Sequence, residues 1–211
     1  WHARALEMTG QETAAREIYT SLAQERDYYG FLAADRLELP YRMNHASLPL
    51  DDQQRQHIAG LPGIRRAEEL HQLGMVYAAR REWDAAVTGM NNRQLQIAAA
   101  IAADWDWHER VILALGKAEA YDNLLLRFPL AYEDKLKEYA AMRQLDLAWL
   151  YALTRAESAF MENVRSPVGA LGLMQVMPHT GKMTARTIGF RTWDTNYLLQ
   201  ARHNIAVGSA Y

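Results

Sequence analysis

Apolar residues recur every three or four positions along most of the chain, and they alternate at period two over no useful length. That spacing predicts helices rather than strands. In residues 14–24, Ala15, Ile18, Tyr19 and Leu22 share one helical face, after a turn at Gly10. Residues 28–41 read as a second helix ended by Pro40, followed by a loop over 44–52. Arg65, Leu70, Leu73 and Val76 then belong to another helix pair, broken near Gly74. Segments 82–90, 93–106 and 108–129 continue the pattern, and Pro129 stops the last of them. Short paired helices rich in Ala, Leu, Tyr and Trp suggest stacked helical hairpins of the tetratricopeptide kind, although no fixed period is present. An irregular helical bundle is the alternative. In either arrangement Trp83, Trp105 and Trp107 are expected to pack between helices rather than to form sugar platforms.

From about residue 141 the texture changes. Residues 145–160 form a strongly helical stretch, and a Pro/Gly-containing loop covers 162–172. The residue before a proline is pushed to extended geometry, so residues 173–177 are expected to be a short extended piece ending at Pro178. On such a piece Leu173, Gln175 and Met177 would point to one side. Pro178 suits the first position of a helix over about 178–188. A last helix is expected over about 195–211. The predicted class is therefore mostly α: a helix-hairpin superhelix over 1–140, followed by an α+β domain over 141–211. The chain opens without Met inside a helical pattern and closes on "NIAVGSAY" without a C-cap, so it is read as a segment of a longer protein, truncated at its C-terminus.

Composition narrows the function. Half of the 211 residues are hydrophobic, enough for a sizeable core. The formal charge of -2, from 23 basic and 25 acidic side chains, argues against nucleic-acid binding, which would show a basic excess. No cysteine is present, which removes disulfides, thiolate nucleophiles and cysteine metal sites. No apolar run approaches the roughly 20 residues of a membrane span. The opening "WHARALEMTG" has neither a basic n-region nor an h-region. Seven scattered histidines, no HExxH and no EF-hand spacing in "DWDWHE" lead to the expectation of no metal and no cofactor.

One residue stands against the pattern. On a helix over 145–160, Glu157 falls about 20° from Leu150, about 40° from Leu153 and about 60° from Phe160. It is therefore expected on the apolar stripe, where a buried carboxylate tends to hold its proton. A general acid working near neutral pH needs that property. The plain alternative is a structural glutamate paired with Arg155 or Arg165. Nearby, Ser166 offers a hydroxyl beside glycines that let backbone approach a ligand, Gln175 offers a donor and an acceptor, and Met177 a soft apolar contact.

The string "ESAF" at 157–160, "SPVGALGLMQVMP" at 166–178 and "NIAVGSAY" at 204–211 resembles the catalytic domain of soluble lytic transglycosylases. The stretch "YYGFLAADRLELPY" and the approach to Glu157 resemble the superhelical region that precedes this domain in the large periplasmic enzymes of the family. The resemblance implies a lysozyme-like fold, periplasmic action on peptidoglycan glycan strands, and association with other cell-wall enzymes. It implies cleavage of the β-1,4 bond between N-acetylmuramic acid and N-acetylglucosamine, with 1,6-anhydromuramyl ends. By the matching motif Glu157 would be the single catalytic acid and then base. Ser166 would lie near the N-acetyl or muramyl side of the bond, and Gln175 and Met177 would line the saccharide groove. Two-carboxylate glycosidases need a second acid about 5–10 Å away. Glu162 would project about 140° from Glu157 on a continued helix, a poor placement for that role. Two departures stand out: Ala156 occupies a position where the family often has Gln, and the family's later "AYNAG"-like segment is not among these residues. A goose-type lysozyme, or an inactive lysozyme-like module on a helical scaffold, are the competing readings.

Overall fold

The computed structural model describes residues 1–47, 49 and 51–211; Leu48 and Leu50, inside the loop expected over 44–52, lie outside the described residues. The chain divides into two compact units, Trp1–Ser47 and Leu48–Tyr211. Among the described residues the regular structure is helical. As expected the protein is mostly α, and among the described residues β pairing is limited to two isolated bridges, Arg165 with Leu171 and Leu171 with Val176.

The first unit holds α1 (His2–Met8), α2 (Glu12–Leu22) and α3 (Tyr28–Leu37). Gly10, at φ 79°, makes the predicted turn between the first two. The Asp27 carboxylate accepts the Gly30 N–H and caps α3. Gly30 admits no side chain, because a Cβ there would meet the Glu25 carbonyl at 2.1 Å. The core of this unit is small: Ala23, Ala33 and Ala34, with Tyr19, Leu22 and Leu37 packed on them. Helix α3 ends at Leu37, before Pro40, because Glu38 adopts a left-handed cap at φ 54°.

The second unit begins with α4 (Asp52–Ala59), α5 (Pro62–Gln72), α6 (Val76–Ala86), α7 (Asn92–Asp104), α8 (His108–Lys117) and the short α9 (Leu124–Arg127). Their boundaries follow from local chemistry. Asp51 caps α4, Pro62 takes the first position of α5, and Asn91 with Gln94 closes a capping box on α7. Gly74, at φ 70°, separates α5 from α6 as expected. The expected single helix over 108–129 is instead two, since Glu119 turns left-handed at φ 54° and Asn123 caps a new start.

These helices bury one core, with Trp83 and Trp107 at its centre and Ala98, Ala99 and Ala102 letting α7 approach its neighbours closely. Trp83 meets Trp105 and Trp107 edge-on at 5.8 and 5.5 Å. The tryptophans are packing residues, as expected from the pattern. Each fully buried large side chain of this kind contributes roughly 1.5–3 kcal/mol.

A second core follows, built by α10 (Glu133–Arg143), α11 (Leu147–Ser158), α12 (Pro178–Thr187), a 3-10 turn at Thr195–Leu199 and α13 (Ala201–Gly208). Leu136, Leu150, Leu171, Leu173, Leu198 and Ile205 are fully buried in it, and Ile112 of α8 joins them. Pro178 opens α12 as predicted. The final helix expected over 195–211 is divided by Gln200 in extended geometry. Arg80 and Arg110 bracket the buried Glu109, at 2.5 and 3.7 Å, so the charges on α6 and α8 are compensated.

Candidate active site

Helix α11 starts at Asp146, whose carboxylate accepts the Ala148 N–H at 2.7 Å. Its buried face consists of Leu150, Thr154 and Ser158, one residue per turn. The two hydroxyls are satisfied inside the helix: Thr154 donates to the Leu150 carbonyl and Ser158 to the Thr154 carbonyl, at 2.8 and 3.2 Å. The helix stops abruptly, because Ala159 and Phe160 both take left-handed backbone, at φ 50° and 66°. Phe160 is buried there, edge-on to Tyr151 and to His108 of α8.

Glu157 is exposed, which corrects the expectation that it is buried. The wheel counted Phe160 as a helical neighbour, but the helix has ended by then. The buried stripe is centred on Thr154, and Glu157 lies about 60° from that centre, in the last turn. No described residue bonds or pairs with its carboxylate, so the structural pairing with Arg155 or Arg165 is absent. Arg155 donates instead to the Arg127 carbonyl at 2.8 Å and lies over the Phe128 ring at 4.5 Å.

Ser166 closes a compact loop with Ala170. Its N–H donates to the Ala170 carbonyl, and its hydroxyl oxygen accepts the Ala170 N–H, both at 2.9 Å. The serine is half-buried and keeps its hydroxyl hydrogen to donate. Gly169, at φ 93°, supplies the left-handed step inside this loop.

Residues 173–177 are not the extended piece that Pro178 suggested. Leu171 and Val176 exchange backbone hydrogen bonds at 3.0 and 3.1 Å around a tight four-residue turn. Leu173 and Met174 are buried in that turn, Gln175 is half-buried at φ 45°, and Met177 takes extended geometry, where it is exposed. The expected alignment of Leu173, Gln175 and Met177 on one side therefore does not occur. The Gln175 side chain donates to the Gly172 carbonyl at 2.8 Å. Gly172 explains the tightness: at φ 71°, a Cβ would stand 2.0 Å from the Leu198 carbonyl and 2.4 Å from Asn204 Nδ2.

Asn204 was not singled out by the sequence pattern. It is fully buried, its Oδ1 accepts the Met174 N–H at 2.8 Å, and its Nδ2 donates to the carbonyls of Leu171 and Leu198 at 2.8 and 2.7 Å. One amide thus fastens the turn bearing Gln175 to the 3-10 segment and to α13. The available signal was weak: an Asn after Arg202 and His203, at the edge of the apolar run Ile205–Ala206–Val207.

Glu162 Oε1 accepts the backbone N–H of Ala201 at 2.5 Å, so this carboxylate is committed to the start of α13. Tyr132 lies in the same field: burial first, then the charges of Glu162 and Glu109, push its phenol up to about 12. Among the described residues no cluster of three metal-ligating side chains occurs, and no helix is long and apolar enough to cross a membrane.

Two family profiles match the chain: the soluble lytic murein transglycosylase L domain over residues 57–124 and the transglycosylase SLT domain over residues 134–211. The soluble lytic murein transglycosylase of Escherichia coli K12 is 32% identical over the whole chain, which covers 33% of that protein. An inactive mutant of the lytic transglycosylase Slt from Pseudomonas aeruginosa, in which a glutamate is replaced by glutamine, superposes with a TM-score of 0.93 at 40% identity. The 70-kDa soluble lytic transglycosylase in complex with bulgecin A gives a TM-score of 0.93 at 31% identity. Each superposition covers all of this chain and 34% of the other. The chain thus spans about a third of the length of the relatives it matches.

Proposed function

Because this chain is a soluble lytic murein transglycosylase segment carrying L-domain and SLT-domain sequence, we propose that the full-length protein cleaves the β-1,4 MurNAc–GlcNAc bond of peptidoglycan in the periplasm, without water, leaving 1,6-anhydromuramyl ends. The observation that carries this reading is the position of Glu157. It is an exposed, unpaired carboxylate at the end of α11, leading directly into the loop and turn that hold Ser166 and Gln175. The inactive relative, in which one glutamate has become glutamine, points to the same kind of group.

In this mechanism Glu157 in its acid form protonates the glycosidic oxygen as the bond to C1 breaks. The neighbouring N-acetyl group stabilises the oxocarbenium-like centre, which removes the need for a second carboxylate. Glu157, now a carboxylate, takes the proton from the muramyl O6 as that oxygen closes on C1. The proton leaves and returns on one residue. Since the chain's own side chains leave Glu157 exposed, a bound glycan strand is what would exclude water from it. Ser166 and Gln175 contribute hydroxyl and amide groups to the sugar, and Met177 an exposed apolar contact.

The proposed catalytic part starts with α10 at Glu133, earlier than the boundary expected at 140–141, because α10 packs on α11 and α13; the helix pairs before it are the proposed supporting part. Other cell-wall enzymes are proposed partners of the supporting part. The test is mass spectrometry of peptidoglycan incubated with the full-length protein and with Glu157→Gln. Anhydromuropeptides from the unmutated protein, reduced about 10²–10⁴-fold by the substitution, are expected for loss of a general acid. Reducing-end products would assign the protein to the lysozymes, and no products at all would leave a helical scaffold.

A further inference from the structure

The chain between Glu157 and Ser166 has left its helix, yet three consecutive residues of it are held by three different elements. The Glu162 carboxylate accepts the Ala201 N–H of α13 at 2.5 Å. The Asn163 carbonyl accepts the Tyr77 hydroxyl of α6 at 3.2 Å. The Val164 carbonyl accepts the Gly172 N–H at 2.9 Å. The first of these contacts is the charged one. Helix α13 has no side-chain cap of its own, since Gln200 at its N-cap makes no such bond. The first N–H groups of a helix lack intrahelical partners and carry partial positive charge, so they favour a carboxylate. Glu162 fills that place from 39 residues away in sequence. The same helix grips the far end of the segment, because Asn204 holds Leu171 and Met174.

We infer that Glu162 is a positioning residue for the reaction proposed above: by docking on the start of α13 it fixes the path from Glu157 to Ser166, and with it the spacing between the acid and the sugar-binding loop. The inference rests on the reading of Glu157 as acid and base. It gives Glu162 a task other than that of a second catalytic carboxylate, with Oε1 held by the Ala201 N–H. Misplacement of a reacting group by about 1 Å costs on the order of 100-fold in rate. Glutamine keeps an acceptor oxygen at the same reach, whereas alanine removes it.

The experiment compares full-length wild type, Glu162→Gln and Glu162→Ala by two readouts. One is kcat and KM for release of anhydromuropeptides; the other is amide exchange at Ala201, Ser166 and Ala170. In the Ala variant kcat/KM is expected to fall about tenfold or more, with faster exchange at all three amides while the bulk of the helices stays protected. The Gln variant is expected to recover most of both. An active wild type whose Ala variant keeps its kcat/KM, or loses it with loop exchange unchanged, overturns the inference alone. Failure of Gln to recover either readout overturns it too. A wild type that releases no products overturns the proposed function, and this inference with it.

Discussion

Replacement of Asn204 by leucine removes one buried amide while keeping the branched shape of the side chain. The Asn side chain makes three hydrogen bonds at 2.7–2.8 Å with no exposure to solvent. After substitution the partners fare differently. The Leu171 carbonyl keeps its bond from the Val176 N–H, whereas the Met174 N–H loses the acceptor that Asn204 supplied. A buried group left without a partner costs about 1–3 kcal/mol, and each further bond lost with an alternative partner about 1 kcal/mol. Leucine's own apolar burial returns about 1 kcal/mol, so the net loss comes to about 3 kcal/mol. At about 2–4 °C per kcal/mol for a domain of this size, the melting temperature should fall by about 6–12 °C. Urea unfolding followed by circular dichroism reads the change as a lower midpoint at unchanged slope, in the transition assigned to residues 48–211. A loss below about 1 kcal/mol would falsify the claim that this amide fastens the turn.

The other predictions concern backbone and charge. Gly172→Ala should destabilise by more than about 3 kcal/mol or abolish folding, because its Cβ meets the Leu198 carbonyl at 2.0 Å. Gly169→Ala, at φ 93° with nothing within 4 Å, should cost only about 1–2 kcal/mol; equal losses in thermal melts would refute this contrast. Tyr132 holds its proton to about pH 12 in the folded chain against about 10 when unfolded, so its stabilising share is complete below pH 10 and is lost between pH 10 and 12. Urea titrations over pH 8–12 should show a shallower alkaline decline in Tyr132→Phe, and identical slopes would contradict the burial of this phenol.

The sequence made the helices legible but not the geometry of the site, and the division has a physical cause. Caps and breaks act locally, so Gly10, Gly74 and Pro178 sit where the pattern put them. Trp83 and Trp107 are buried because large aromatics at helical spacing have few other stable placements. The turn at 171–176 depends on residues distant in sequence. Pro178 constrains only Met177, which is extended, while the turn before it packs Gly172 so close to Leu198 and Asn204 that no side chain fits. Glu157 was misplaced for a related reason: a helical wheel assumes that the helix continues, and α11 ends one residue after it. The motif residues Ser166, Gln175 and Met177 were named in advance. Asn204, which holds their backbone, was not, and Glu162 was weighed only as a second catalytic carboxylate, because the partners of both are backbone groups that carry no sequence signature.

The exposure of Glu157 suits the proposed role of proton carrier. A group that must give a proton and take it back within one turnover cannot be locked in either state. An arginine beside it would hold the carboxylate ionised and deny it the first step. The nearest candidate, Arg155, is turned to the Arg127 carbonyl and the Phe128 ring, where burial and then the Arg127 charge lower its own proton affinity. Glu162 accepts the Ala201 N–H of α13 through Oε1. The protein thus commits its hydrogen bonds to the backbone around the acid and leaves the acid itself unpaired. Under the proposed mechanism glycan binding, rather than the resting fold, would complete the environment for the first proton transfer. Activity should therefore depend on how much saccharide covers Glu157: short fragments should lose kcat as well as affinity, because remote binding energy is used to desolvate the acid.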